Sequence, residues 1–152
     1  VNSTPPASPD IYRLLPFTHQ QLTTAAALAG KFTALFGTYR YDQHLASYLA
    51  RLKPLTTSSL QAALAQGAAA PGLIQQRTHG KTTATTSATV TAIRDIAGTS
   101  ITFLVTADQR TTTAGVTHQR TQDYAITVTT TAKTWKVYAI ELASAGQAGS
   151  MP

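Results

Sequence analysis

Two hydrophobic periods run along this chain and change over near Leu73. Before that residue the apolar positions recur at three and four, the spacing of a helix face. After it they alternate, the spacing of a strand with one wet side. Over residues 19 to about 39, Leu22, Ala25, Ala26, Ala29, Phe32, Ala34, Leu35 and Phe36 share one helical face, lined by small residues first and aromatic ones later. Thr18 and Gln21 have the spacing of a capping box, which satisfies free N–H groups and starts a helix well. Gly37 ends or kinks it. A second helix is predicted over residues 43–52 from Leu45, Tyr48, Leu49 and Leu52; Pro54 stops it, because its ring cannot continue a helix. Thr57 or Ser58 caps a third over residues 59–66, carrying Leu60, Ala63 and Leu64, and residues 67–72 read as a loop containing Pro71.

The second half is Thr-, Ala- and Val-rich. Strands are predicted over residues 82–96, 101–107, 117–131 and 135–142, with turns at Ala97-Gly98, 111–115 and 132–134. In the third strand Tyr124, Ile126 and Val128 alternate with Ala125, Thr127 and Thr129. Trp135, Val137 and Ala139 stand against Tyr138, Ile140 and Leu142 in the fourth. Consecutive strands joined by short turns are antiparallel. The fold class is therefore α+β: three N-terminal helices packed on one face of a curved antiparallel sheet of four long strands. Its predicted core is Leu28, Phe32, Leu35, Phe36, Leu45, Leu49, Leu52, Leu60, Leu64, Val90, Ile101, Phe103, Val105, Ile126, Val128, Trp135 and Val137.

Composition changes this picture little. A chain of 152 residues suits one domain. We expect a linker and strap over residues 1–16, the folded domain over 17–142 and a flexible tail over 143–152. Charged residues make up only 12%, about half the usual ~25%, and Thr, Ser and Gln fill the polar positions instead. No run approaches the ~18 apolar residues of a membrane span. The net charge of +6 invites a nucleic-acid reading, but the cations are spread singly. With no Lys/Arg run, no glycine-aromatic RNA motif and no Cys/His finger, the charge reads as solubility and attraction to acidic surfaces. Specific nucleic-acid binding is not expected. Cysteine is absent, which excludes disulfides and thiolate metal sites. The opening VNSTPPASPD is a stiff polar linker that does not begin with methionine. The expectation is a piece of a longer chain, with a signal or membrane anchor upstream.

The order of helices and strands resembles the nuclear transport factor 2-like superfamily, whose domain is cone-shaped. The more specific resemblance lies in FTALFGTYRYD (residues 32–42) followed by YLARLKPLT (residues 48–56). This phrase is similar to extracytoplasmic domains of single-pass envelope proteins of Gram-positive bacteria. These are the TcpC-like assembly factors of conjugative type IV secretion and, less closely, the Mce-associated membrane proteins. The resemblance implies a membrane-anchored, extracytoplasmic scaffold whose partners are other envelope or secretion-apparatus proteins, or further copies of itself.

The superfamily also contains isomerases, a dehydratase and an epoxide hydrolase that use carboxylates or a His/Asp pair at the cone mouth. The residues nearest to that chemistry are Tyr39, Tyr41, Asp42 and His44, with Glu141 near the end of the last strand. Asp42 as a general base with Tyr39 polarising a carbonyl is one reading. The other is that Asp42 opens the second helix, where a carboxylate satisfies free N–H groups and favours the dipole. The second is preferred, since Glu141 lacks a positioned partner. Asp95, Asp108 and Asp123 are expected to face solvent. His19, His44, His79 and His118 lack metal-ligand spacing, so neither metal nor cofactor is expected. No strand–turn–helix elbow surrounds a serine. The protein is accordingly read as a non-enzyme. Its expected interaction surface is either the outer face of the helices, through Tyr39, Arg40, Tyr41, Tyr48 and Arg51, residue types that anchor interfaces, or an exposed edge of the sheet. The alternative is a small-molecule-binding or isomerase-like domain using the cone pocket.

Overall fold

A computed structural model describes residues 17–131 and 134–144. The linker and strap, the turn residues 132–133 and the tail from residue 145 onward lie outside the described residues. The architecture is α+β, with helices laid on one face of an antiparallel sheet of strand order β1-β2-β3-β4-β5.

Helix α1 spans His19–Phe36 and begins as its capping box requires. The Thr18 hydroxyl accepts from the Gln21 N–H at 3.1 Å, and the Gln21 side-chain oxygen accepts from the Thr18 N–H at 2.8 Å. Ala25, Ala29 and Phe32 of its inner face are fully buried. Because the first of these are alanines, the helix lies close to the sheet; a methyl on Gly30 would only just touch Val90. Helix α2 is Leu45–Leu52, a short 3-10 turn follows at Lys53–Leu55, and α3 is Ser58–Ala68. The Thr57 hydroxyl caps α3 by accepting from the Leu60 N–H at 3.3 Å.

Two elements depart from the sequence reading. Helix α1 stops at Phe36 rather than near Tyr39, and Tyr39–Arg40 form a short strand, β1, paired with Ala84 and Thr83. Residues 71–80, expected to be loop and the approach to a strand, form a fourth helix, α4 (Pro71–Gly80). Proline at its first position is pre-set for a helix start. Its end is closed by Lys81 in a left-handed conformation, φ 51°, with the Lys81 and Thr82 N–H groups donating to the Thr78 and Arg77 carbonyls. Among the described residues four α-helices and five strands thus replace three and four.

Strand β2 is Thr83–Ala97, β3 Ser100–Thr113, β4 Val116–Thr131 and β5 Thr134–Leu142. The 111–115 turn contracts to Ala114-Gly115, both at positive φ, as a tight two-residue hairpin turn demands. Strand β3 consequently runs six residues beyond its expected end at residue 107. Irregularities in β2 between Val90 and Ala92 and between Ile93 and Asp95 bend the sheet around α1. On its outer face threonines pair across strands: Thr102 with Thr127 at 2.9 Å, Thr106 with Asp123 at 2.7 Å, Thr121 with Asp108 at 2.8 Å.

The core gathers Phe32, Leu52, Ile101, Phe103, Val105, Ile126, Val128 and Val137, all fully buried. Leu28, Leu35, Phe36, Leu64, Val90 and Trp135 pack around it partly buried. Leu45 and Leu49, expected in the core, are part-buried and line surface grooves, while Leu52 on the same face of α2 is fully buried. Phe17 enters the core unexpectedly by packing on Trp135, ring centroids 5.2 Å apart.

At the end of α1 the join between helix and sheet is polar. The Gly37 carbonyl accepts from the Thr86 hydroxyl at 2.8 Å and from the Gln109 amide at 2.9 Å. Thr38 adds a bond from the Thr86 N–H to its own hydroxyl at 3.1 Å. Only glycine fits at 37, since a Cβ there would fall within 2.9 Å of the Thr86 Cβ.

Phe32→Ala is expected to cost about 3–5 kcal/mol in urea unfolding, as loss of a fully buried aromatic does, and Trp135→Ala less, because that ring is part-exposed. Thr86→Val keeps the shape but strips the hydroxyl from the Gly37 carbonyl; a loss of about 1–3 kcal/mol is expected by the same measurement.

Candidate functional site

Where α1 ends, the helix layer parts from the sheet and leaves a cavity of about 400 Å³. That lies within the ~300–1,000 Å³ range of small-molecule sites. Its floor is Tyr124 and Ile140 of the sheet, and its sides are Phe36, Leu64 of α3, Leu73 and Arg77 of α4, and Tyr39 of β1. Tyr39, Tyr48 and Arg77 also line a neighbouring cleft of about 120 Å³ that reaches Arg40, Tyr41 and Ile74. On the far side a third recess of about 110 Å³ shares Phe36, Gln109 and Tyr124 and ends at Arg120 and Gln122. The three form a trough across the mouth of the domain.

The Gly37 join sets this geometry. Once α1 is held there, the next residues must run along β2, and this brings Tyr39 to the rim. Phe36 meets Tyr124 edge to face at 6.2 Å, closing the trough on the core side. Tyr48 fastens α2 to the same corner, donating its hydroxyl to the Phe36 carbonyl at 2.7 Å. Burial pushes the Tyr48 phenol up to about 12, so it remains a neutral donor throughout the ordinary pH range. Arg51 lies 5.8 Å from the centre of the Tyr48 ring and donates to the Thr38 carbonyl at 3.2 Å and to the Gln43 side chain. Arg77 lies over Tyr39 with its guanidinium carbon 3.6 Å from the ring centre.

The sequence-derived residues divide between two places. Tyr39, Arg40, Tyr41 and Tyr48 are brought together around the smaller cleft, and Arg51 backs Tyr48 from outside it. Asp42 does not cap α2. The N-cap is His44, whose side chain makes no capping bond, and the Asp42 carboxylate instead receives the Arg40 guanidinium at 3.0 and 3.2 Å. This hydrogen bond holds the exposed Asp42 carboxyl below its ordinary value, the opposite of what a general base near neutrality needs. Glu141 is exposed and stands beside Ala125, out of phase with the neighbouring Leu142–Tyr124 pair, so it lies on the sheet face opposite the trough. Among the described residues no Asp or Glu lines any of the three cavities. The described residues contain no group of three or more His, Asp or Glu that could hold a metal.

Arg77 and Tyr124 escaped the sequence reading. Tyr124 was placed by its strand alternation but without a site. Arg77 was lost with α4, and the one signal pointing to it was its spacing of four from Leu73 and three from Ile74.

No protein-family model and no curated protein matches the chain in sequence. Solved structures do match its fold. CagV, a VirB8 homologue of a type IV secretion system from Helicobacter pylori, superposes with a TM-score of 0.56 at 14% identity, covering 80% of this chain and 96% of that one. The putative transfer protein TraH of the Gram-positive conjugative plasmid pIP501 gives 0.53 at 12% identity, covering 79% and 91%. The intermembrane-space region of the chloroplast protein ARC6 gives 0.52 at 13% identity, covering 83% and 96%. At these identities the similarity is one of fold.

The buried Tyr48 phenol makes stability fall with pH at the alkaline end. Its folded value is raised above the ordinary 10.0, so the stabilisation is full below pH 10 and is lost as pH rises through about 12. Urea midpoints measured from pH 8 to 12 should decline over that window. The decline should be shallower in Tyr48→Phe, which should also be less stable at pH 8 through loss of the bond to Phe36.

Proposed function

We propose that this domain is a non-catalytic, extracytoplasmic scaffold of a conjugation or secretion apparatus. In this reading it is carried by a membrane-anchored envelope protein of a Gram-positive bacterium. The observation that carries the reading is the fold: it follows, over about four fifths of the chain, two proteins named for secretion and plasmid transfer. The ARC6 match shows that the same shape also serves elsewhere, so the fold alone is not specific. The resemblance of residues 32–42 and 48–56 to the TcpC-like branch of the nuclear transport factor 2-like superfamily supplies the narrower assignment. Among the described residues no carboxylate lines the trough, the place where the superfamily's enzymes act through acids and bases.

The contact surface in this proposal is the corner formed by β1 and α2. Arg40 and Tyr41 offer the accessible groups. Tyr39, Tyr48 and Arg51 fix the corner's shape through the ring and carbonyl contacts described above. A preformed corner loses little freedom on binding, which favours affinity. Partners are other envelope or apparatus proteins, or a second copy of this chain.

Deleting residues 17–144 in frame from the full-length gene should lower DNA transfer or secretion at least ~100-fold, and the double substitution Arg40→Ala/Tyr41→Ala ~10-fold, for a hot-spot loss of about 1.4 kcal/mol. Transfer at the parental rate in the deletion strain, with the remaining protein detected at its normal level, would sink the reading.

A further inference from the structure

We infer that the 400 Å³ cavity is a binding site for an amphipathic monocarboxylate, an apolar body ending in one carboxylate. The inference is independent of the scaffold reading.

The wall is asymmetric. Leu64, Leu73, Ile140 and Phe36 give it an apolar side, and among the described residues Arg77 is the single cation lining it, with no anion opposite. The Arg77 side chain is half-buried and held in place by the face of Tyr39 at 3.6 Å. Stacking occupies the face of the guanidinium plane, whereas its five N–H donors lie around the edge. Among the described residues Arg77 makes no ion pair and donates no side-chain hydrogen bond. Of the other polar groups in the lining, the Tyr48 hydroxyl is committed to Phe36 and the Gln109 amide nitrogen to Gly37, which leaves the neutral hydroxyls of Tyr39 and Tyr124 beside the one charge. Arg77 is therefore a fixed, unspent, planar donor at the edge of an apolar hollow, an arrangement suited to paired bonds to a carboxylate. A wholly apolar guest would leave the guanidinium without an acceptor, and a polar one would waste the leucine and isoleucine wall. The cavity's size matches a body of roughly ten carbons rather than a protein segment.

The experiment is an NMR titration of the described domain's parent chain with decanoate and, separately, with decan-1-ol at pH 7.5. Decanoate should give saturable shifts at Leu64, Leu73, Ile140 and the Arg77 side chain. It should bind at least ~10-fold more tightly than decan-1-ol, the difference one charge-assisted bond confers. Arg77→Gln should bring decanoate down to the affinity of the alcohol while the rest of the spectrum stays in place. Equal binding of acid and alcohol, shifts confined to other surfaces, or an unchanged affinity in Arg77→Gln would each overturn the inference. It would also fall if an acidic peptide shifted the same resonances and decanoate did not, since the site would then belong to a protein partner. If Arg77→Gln loses its fold, the acid-against-alcohol comparison on the parent chain decides.

Discussion

One carbonyl group, that of Gly37, pins the end of α1 to the sheet. It receives hydrogen bonds from a hydroxyl on β2 and an amide on β3, neighbouring strands on which Thr86 and Gln109 stand directly opposite each other. A carbonyl at a helix C-terminus has no partner within its helix, so left alone it would have to face water. Here the sheet supplies the partners. The arrangement demands a residue without a side chain at 37 and a small hydroxylated one at 86, which is buried. Everything that follows in the chain inherits this point. Tyr39 reaches the rim because β1 must leave the clamp along β2, and Tyr48 and Arg51 find Phe36 and Thr38 because the clamp holds both carbonyls still.

Most of the layer structure was legible in the residues themselves. The capping box at Thr18 and Gln21, the Ala-then-Phe face of α1, and the alternation through Ile101, Phe103 and Val105 each state one physical demand plainly. The structure meets each of them. What stayed hidden had weak or non-local signals. Helix α4 offers only Leu73 and Ile74 as large apolar residues and is otherwise polar, so its sequence carries no helical stripe. Strand β1 is two residues long and is made by its partner, not by its own pattern. Leu45 and Leu49 have sound helical spacing, but spacing reports that two residues share a face, not which neighbour that face meets.

The site was half legible for the same reason. Tyrosines and arginines at positions 39 to 51 stand close in sequence, and short-range geometry gathers four of them around one cleft. Arg77, Gln109 and Tyr124 come from three further elements, and only the closed fold puts them beside Tyr39 and Phe36. Asp42 shows the limit of capping rules: a carboxylate near a helix start goes to the strongest donor in reach, here the Arg40 guanidinium two residues away.

The brevity of β1 has a consequence for motion. Two residue pairs tie Tyr39 and Arg40 to β2, whereas the ladders behind them run for a dozen residues or more. Resistance to opening is therefore graded across the molecule, steep in the β2–β3–β4 body and shallow at the rim. Such a rim can detach and re-form by itself, on a free-energy scale well below that of global unfolding. The side of the hollow that carries Tyr39 therefore rests on two ladder pairs, the Arg77 stack and the Thr38 bond to β2, and not on the long ladders behind it.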